Sequence, residues 1–116
     1  MEADSFPNSI EPMKASLAEI PSVSDGWATE IKWDGVRAIS FCEDGELRLQ
    51  GRRLNDITGL FPEIGPLGRQ AAAEGTVLDG EMVAFDEDGI PSFQRIQKRL
   101  RQDGEPLESR DVWADF

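Results

Sequence analysis

A lysine that could act as a nucleophile lies in residues 30–37, Glu-Ile-Lys-Trp-Asp-Gly-Val-Arg, where polar and apolar residues alternate before an Asp-Gly pair. The alternation predicts a strand, and a lysine flanked by apolar strand residues is expected to be partly desolvated. Desolvation disfavours the charged amine and makes it a better nucleophile. Arg37 acts in the same direction and can hold an anionic substrate. We therefore interpret Lys32 as the nucleophile of a covalent-catalysis site at a strand end.

Two further patterns combine charge with turn residues. The first is Gly-Arg-Arg at residues 51–53 followed by Asn-Asp-Ile-Thr at 55–58, and the second is Leu-Asp-Gly-Glu at 78–81. Each of the three patterns, taken singly, has a simpler explanation. A lysine beside a hairpin turn, a pair of loop arginines and a solvated strand glutamate are all common surface features.

Composition narrows the possible chemistry. The chain has 116 residues, 39 % apolar and 30 % charged, which predicts one small globular domain. Its formal net charge of −11 argues by itself against tight binding of a polyanion, although a local basic cleft remains compatible with it. One cysteine and no histidine leave neither a His/Cys zinc site nor a Ser-His-Asp triad. There is no membrane-length apolar run and no signal peptide, so we expect a cytoplasmic protein.

The periodicity predicts an α+β fold, an antiparallel twisted sheet with a few helices. Residues 34–35 are expected to form a hairpin turn, and Gly80 is expected to interrupt its strand. Predicted strands cover residues 27–31, 36–42, 47–50, 76–85 and 111–116. Predicted helices lie around residues 13–20, from residue 61 onward with Pro62 in the first turn, and over 93–101 with Ser92 as the N-cap.

Together, in this order and spacing, the three patterns resemble the adenylation domain of ATP-dependent DNA ligases, and especially that of bacterial end-joining ligases. This domain belongs to the nucleotidyltransferase superfamily, which includes RNA ligases and mRNA capping enzymes. We expect this chain to form part of such a domain, with an ATP-grasp-like fold. The likeness covers about residues 10–116. Other similar stretches are residues 12–13, 25–28, 61–63, 82–85 and 91–94.

The resemblance implies a role for the lysine and its neighbours. Lys32 would attack the α-phosphorus of ATP, form a lysyl-AMP phosphoramidate and release pyrophosphate. Glu30 and main-chain atoms of Ile31 would recognise the adenine. Asp34 would orient the lysine loop, and Gly35 would permit its tight backbone.

The resemblance also implies a set of nucleotide contacts further along the chain. Arg37 would contact the sugar and the DNA nick, and Arg52 the ribose and phosphate. Glu81 would accept a hydrogen bond from a ribose hydroxyl, and Phe116 would stack on the purine for about 1 kcal/mol or more. Arg99 is a further candidate for binding phosphate.

Some features of the family do not match. Gly51 and Arg53 stand where family members usually have Ser and Asn, which puts hydroxyl contacts near the sugar in doubt. A later metal-binding element, two strand lysines and an OB-fold domain have no counterpart in the sequence. We therefore expect residues 1–25 to be a lead-in and 26–116 to be the N-terminal part of the domain. We expect such a truncated chain to self-adenylate weakly or not at all.

The function implied by the resemblance is sealing of DNA breaks in repair or recombination. ATP and Mg²⁺ are the implied cofactors and nicked or broken duplex DNA is the implied partner; no residue is predicted as a metal ligand. One alternative is an RNA ligase or a capping-type nucleotidyltransferase. Another is a non-catalytic remnant or nucleotide-binding module with an exposed sheet edge.

Overall fold

The computed structural model describes residues 5–23, 25–70, 75–101 and 112–116. Their main feature is one antiparallel four-stranded sheet in the order β2-β1-β3-β4, which confirms the predicted α+β class. The strands are β1 (Val36–Glu43), β2 (Glu46–Gln50), β3 (Thr76–Ala84) and β4 (Val112–Asp115). The helices are α1 (Leu67–Gln70), α2 (Phe93–Arg101) and the 3₁₀ turns Thr58–Leu60 and Pro62–Ile64.

The β1–β2 hairpin is fixed by its two-residue loop. Asp44 and Gly45 both have positive φ, 54° and 78°, as a type I′ turn requires. This turn matches the natural twist of the strands and sets the register, in which Glu43 lies opposite Glu46 and Ile39 opposite Gln50.

One face of the sheet carries the core. Alternation along β1 and β3 places Ala38, Met82 and Ala84 on this face, and each is fully buried. Helix α2 covers it with Ile96, which is also fully buried. The Oγ of Ser92 accepts a hydrogen bond from the backbone N–H of Arg95 at 3.4 Å, so the predicted N-cap is confirmed.

The lead-in crosses the opposite face of the sheet. Phe6 packs edge-to-face on Phe41 with ring centroids 6.2 Å apart. The Gln50 side chain, 1 % exposed, accepts a hydrogen bond from the Ile10 N–H at 3.1 Å and donates one to the Ile10 carbonyl at 2.6 Å. These contacts make the lead-in part of the packed structure. Arg48 lies on the same face, with its guanidinium carbon 4.1 Å from the Phe41 ring centroid. Further along the lead-in, the Met13 carbonyl accepts a hydrogen bond from Arg37.

Two predicted elements near the N-terminus are wrong. Residues 13–20 form no helix, and Leu17 and Ile20 are almost completely exposed. Short helices need a packed apolar face, and this one has none among the described residues. Residues 27–31 form no strand, because no described strand pairs with them. The pair 34–35 consequently joins no hairpin.

Two other expectations are corrected in the middle of the chain. The helix predicted from residue 61 is reduced to 3₁₀ turns and the single turn of α1. Pro66 cannot donate a backbone hydrogen bond, and Gly68 packs directly on the backbone of Glu46 in β2. Gly80 does not interrupt β3, which is continuous over nine residues, because Gly80 pairs with Ala38 of β1. The close approach of Asp115 and Phe116 leaves no room for a side chain at this position.

Candidate active site

An open cleft of about 810 Å³ gathers six of the seven predicted site residues at one end of the sheet. Arg52 is the exception and lies outside it. The lining residues are Ala15, Glu30, Ile31, Lys32, Trp33, Arg37, Asp79, Gly80, Glu81, Asp115 and Phe116.

Strand register positions the charged residues of the cleft. Arg37 on β1 lies opposite Glu81 on β3, which in turn lies opposite Asp115 on β4. Residues directly opposite on adjacent strands project from the same face, so these three side chains form a row about 4.8 Å apart from strand to strand. Asp79 projects from the same face two residues before Glu81. The row lies on the face opposite the core.

Phe116 reaches the cleft because Gly80 has no side chain. A Cβ at Gly80 would overlap the carbonyl oxygen of Asp115 and lie 2.5 Å from a ring carbon of Phe116. Phe116 is 43 % exposed and lines the cleft, so part of this residue is accessible to a ligand there. The glycine of the third sequence pattern therefore positions the aromatic wall.

Lys32 lies on a segment without regular secondary structure and is exposed, as is its neighbour Ile31 at 72 %. The expectation that flanking strand residues would desolvate the amine is therefore wrong. Alternation alone does not bury a side chain when the segment joins no sheet. The amine is instead open to solvent and to a ligand in the cleft.

Close packing and one hydrogen bond fix the lysine segment. A Cβ at Gly35 would overlap the carbonyl oxygen of Met82 and lie 2.8 Å from Val83 Cγ1, so the backbone can approach β3 only at a glycine. Close approach, rather than a turn geometry, explains this residue. The indole Nε1–H of Trp33 donates to Asp115 Oδ2 at 2.8 Å.

Arg37 is held by Asp79, a residue to which sequence reasoning gave no role. Its Nε and Nη2 donate to the two carboxylate oxygens, both at 2.6 Å, and its Nη1 donates to the Met13 carbonyl at 2.8 Å. The hydrogen bond to Asp79 is the main cause that raises the pKa of Arg37. The bidentate geometry is the one that arginine also uses for phosphate. The only feature of the sequence that pointed to a role for Asp79 was its place two residues before Glu81 in the same pattern.

Glu81 is the partly buried acid at the centre of the row. Burial is the main cause that raises the pKa of its carboxyl group. The positive charges of Arg37 and Lys32 lower this pKa, and the negative charges of Asp79 and Asp34 raise it. Its environment therefore favours the protonated form more than water does.

The second pattern forms a compact loop away from the cleft. The Gly51 N–H donates to the Asn55 carbonyl at 2.8 Å, and Leu54 adopts a positive φ of 65°. Arg52 is exposed on this loop. Arg99, the further phosphate-binding candidate, lies on the core side, where its Nη1 donates to Glu63 Oε1 at 2.8 Å. Neither arginine lines the cleft.

The cleft is acidic despite its two cations. Glu30, Asp79, Glu81 and Asp115 outnumber Lys32 and Arg37 among the lining residues. The described part of the chain contains no group of three or more Asp, Glu, Cys or His placed to hold a metal ion. In the same residues, no helix has the length and apolar character needed to cross a membrane.

Comparisons with known proteins agree on one family. Residues 9–112 match the model of the ATP dependent DNA ligase domain. The multifunctional non-homologous end joining protein LigD of Mycolicibacterium smegmatis is 36 % identical over 111 residues, which are 94 % of this chain and 15 % of that protein. A DNA ligase of Natronomonas pharaonis is 35 % identical over 86 % of this chain and 20 % of its own length.

Solved structures give the same result. A mycobacterial DNA ligase D complexed with ATP and MES superposes with a TM-score of 0.57 at 36 % identity, over 75 % of this chain and 26 % of that one. The ligase domain of Mycobacterium tuberculosis LigD gives 0.58 at 34 % identity, over 74 % of this chain and 27 % of that one. The chain thus spans between 15 % and 27 % of the length of these four relatives. It belongs to the ATP-dependent DNA ligase domain family.

Proposed function

We propose that this chain provides part of the adenylation site of an ATP-dependent DNA ligase, with Lys32 as the residue that accepts AMP. One observation carries the proposal. A single cleft contains six residues that the family resemblance selected from separate parts of the sequence: Glu30, Ile31, Lys32, Arg37, Glu81 and Phe116. The mycobacterial relative solved with ATP supports ATP as the nucleotide.

The proposed reaction is the transfer of an adenylyl group. The Lys32 Nζ attacks the α-phosphorus of ATP, a P–N bond forms, the bond to the β-phosphate oxygen breaks, and pyrophosphate leaves. The Lys32 ammonium gives one proton to solvent before the attack and a second as the P–N bond forms, and solvent reaches this exposed residue directly. The partly exposed Phe116 would stack on the adenine, and Glu81 would accept a hydrogen bond from a ribose hydroxyl. Glu30 and Ile31 would contact the base.

Charge limits what the described residues can do alone. Phosphoryl transfer depends largely on offsetting phosphate charge, and four carboxylates face two cations in the cleft. One of these cations, Arg37, is already paired with Asp79. The described residues build no metal site of their own, so Mg²⁺ would be bound mainly through the ATP phosphates, as is common for this ion. We therefore expect weak ATP binding and slow adenylation.

The remaining expectations from the resemblance belong to this proposal. Arg52 would contact the nucleotide only if its loop approached the cleft. Residues 26–116 would form the domain proper and 1–25 the lead-in. The substrate would be nicked or broken duplex DNA in repair or recombination, and such a substrate supports a cytoplasmic location. The relatives reported above are DNA ligases, which favours this function over an RNA ligase or capping enzyme.

Incubation with α-labelled ATP and Mg²⁺, followed by peptide mass spectrometry, tests the proposal. We expect a low yield of AMP on Lys32, and none in the Lys32→Arg variant, which keeps the charge. A second arm replaces the matching segment of the M. smegmatis protein with residues 9–112. This chimera should seal nicked DNA, and its Lys32→Arg form should not. AMP on Lys14 or Lys98, or an inactive but folded chimera, would overturn the proposal.

A non-catalytic nucleotide-binding module is the second candidate. The observation that favours it is the hydrogen bonding of Arg37, whose Nε and Nη2 donate to Asp79 and whose Nη1 donates to the Met13 carbonyl. These bonds leave little cationic capacity for phosphate. Under this alternative, ATP would raise the melting temperature of the chain. It would leave no AMP on Lys32 in either the chain or the chimera.

A further inference from the structure

The lysine segment has few means of holding its position. Residues 27–34 belong to no strand or helix, and both Lys32 and Ile31 are exposed. A nucleophile has to be held close to its target, since a displacement of about 1 Å can reduce a rate about a hundredfold. Gly35 fixes the C-terminal end of the segment against Met82. Something nearer to Lys32 has to orient the amine.

Trp33, the next residue, makes two directional contacts. Its Nε1–H donates to Asp115 Oδ2 at 2.8 Å. Its ring packs on Phe85 with centroids 6.4 Å apart and an interplanar angle of 87°, the edge-to-face arrangement. One contact fixes the direction of the indole N–H and the other fixes the plane of the ring, so together they restrain the backbone on which Lys32 lies.

The partner of Trp33 lies beside the opposite wall of the cleft. Asp115 is the last residue of β4, and Phe116 follows it directly. Because Gly80 admits the Asp115 carbonyl and the Phe116 ring against β3, the position of this wall is set by packing. The hydrogen bond therefore joins the lysine segment to the aromatic wall across 82 residues of sequence.

We propose that Trp33 is a positioning residue, which acts through Asp115 to hold Lys32 at a set distance from the Phe116 wall. The inference rests on the proposed function, because it assigns to Trp33 the alignment of the amine with a nucleotide stacked on Phe116. Trp33 does not touch the reacting atoms. Its hydrogen bond links the residue next to the nucleophile with the residue next to the base-stacking surface.

Four variants of the full chain distinguish the effect of the Trp33–Asp115 hydrogen bond from the effect of ring packing. Trp33→Phe keeps an aromatic ring and removes the N–H. Asp115→Ala removes the acceptor from an exposed position and leaves both rings intact, so it tests the bond even if the first variant folds poorly. Asp115→Asn keeps an acceptor oxygen. Trp27→Phe, at a residue that is 67 % exposed on the same segment, is the matched control.

The first readout is independent of adenylation. Native-state trypsin cleavage after Lys32 is followed by mass spectrometry and divided by the rate on the unfolded chain, with Lys98 in α2 as an internal reference. We expect Trp33→Phe and Asp115→Ala to accelerate cleavage at Lys32 by roughly fivefold through local opening. We expect Asp115→Asn and Trp27→Phe to stay near the rate of the original chain.

The second readout separates alignment from affinity. We expect Trp33→Phe and Asp115→Ala to lower the rate constant for Lys32 adenylation at saturating ATP by about tenfold, while the ATP concentration for half-maximal rate changes less than about twofold. Asp115→Asn should restore most of the rate. A purely structural role would instead change both parameters, or neither.

The outcomes distinguish the two proposals. If Lys32 never acquires AMP in the chain or in the chimera, the proposed function fails and the positioning role fails with it. If Lys32 does acquire AMP but Trp33→Phe and Asp115→Ala change neither cleavage nor rate, only the positioning role is overturned. Equal loss of rate in Asp115→Asn and Asp115→Ala would also overturn it, because the acceptor would then be irrelevant.

Discussion

Replacing Gly80 with Ala should detach the aromatic wall of the cleft. A methyl group there would overlap the Asp115 carbonyl and crowd the Phe116 ring. If the strands stay in place, overpacking of this kind costs about 1–3 kcal/mol. If β4 moves away instead, Val112, now 8 % exposed, loses a burial worth about 1.5–3 kcal/mol. Either route gives a loss of about 2 kcal/mol in the free energy of unfolding.

Gly59→Ala is the matched control, since no atom lies within 4 Å of a Cβ at Gly59. Alanine restricts the unfolded chain in both variants and stabilises each by about 0.4–1 kcal/mol. Gly80→Ala should therefore be less stable than Gly59→Ala by about 2 kcal/mol, or about 8 °C in melting temperature. Urea unfolding and thermal melts measure this difference.

The same variant should also weaken nucleotide binding. Losing a stacking contact of about 1 kcal/mol raises the ATP dissociation constant about fivefold. Isothermal titration at a temperature where both variants are folded compares Gly80→Ala with Gly59→Ala. Equal stability of the two variants would refute the packing reasoning. Lower stability of Gly80→Ala with unchanged ATP affinity would refute the placement of adenine on Phe116.

Three further changes have defined outcomes. Gln50→Leu removes both hydrogen bonds to Ile10, at about 1 kcal/mol each, so urea titration should show a loss of about 2 kcal/mol, and proteolysis should begin in the lead-in. Ser40→Ala should stabilise the chain by about 1 kcal/mol in the same assay, because the buried Ser40 Oγ has no hydrogen-bond partner among the described residues. The raised pKa of Glu81 means that the folded state retains this proton as pH rises above the ordinary value of 4.5, so stability falls across that window. Glu81→Gln lacks this loss, and its melting temperature relative to the original chain should be higher at about pH 7 than at about pH 4.

The sequence predicted correctly those strands and helices whose local residue pattern is sufficient to identify them. Strands β1, β2 and β3 follow alternation, and α2 follows an N-cap serine and an apolar position at Ile96. The prediction of a strand over residues 27–31 was wrong because an alternating segment forms a strand only when a neighbouring strand pairs with it. The helix predicted over 13–20 failed for the same kind of reason, since its apolar residues found no described surface on which to pack.

The sequence predicted which residues line the candidate site, but it did not predict the contacts that position them. The resemblance selected six residues that line one cleft, yet the bonds that position them connect distant parts of the sequence. Asp79 holds Arg37 across 42 residues, and Asp115 holds Trp33 across 82. No periodicity or turn signal reports such pairs, because they depend on strand register and on close approach at glycines. The exposure of Lys32 was missed for the same reason.

The single cysteine makes the chain suitable for site-directed spectroscopy. Cys42 lies in β1 at 2 % exposure, and burial raises the pKa of its thiol, so it offers little thiolate to maleimide or methanethiosulfonate reagents. A cysteine introduced on the lead-in or beside the cleft would then be the only fast-reacting thiol. Fluorophores or spin labels could be attached there, and distances between the lead-in and the cleft walls measured, without first removing the native residue.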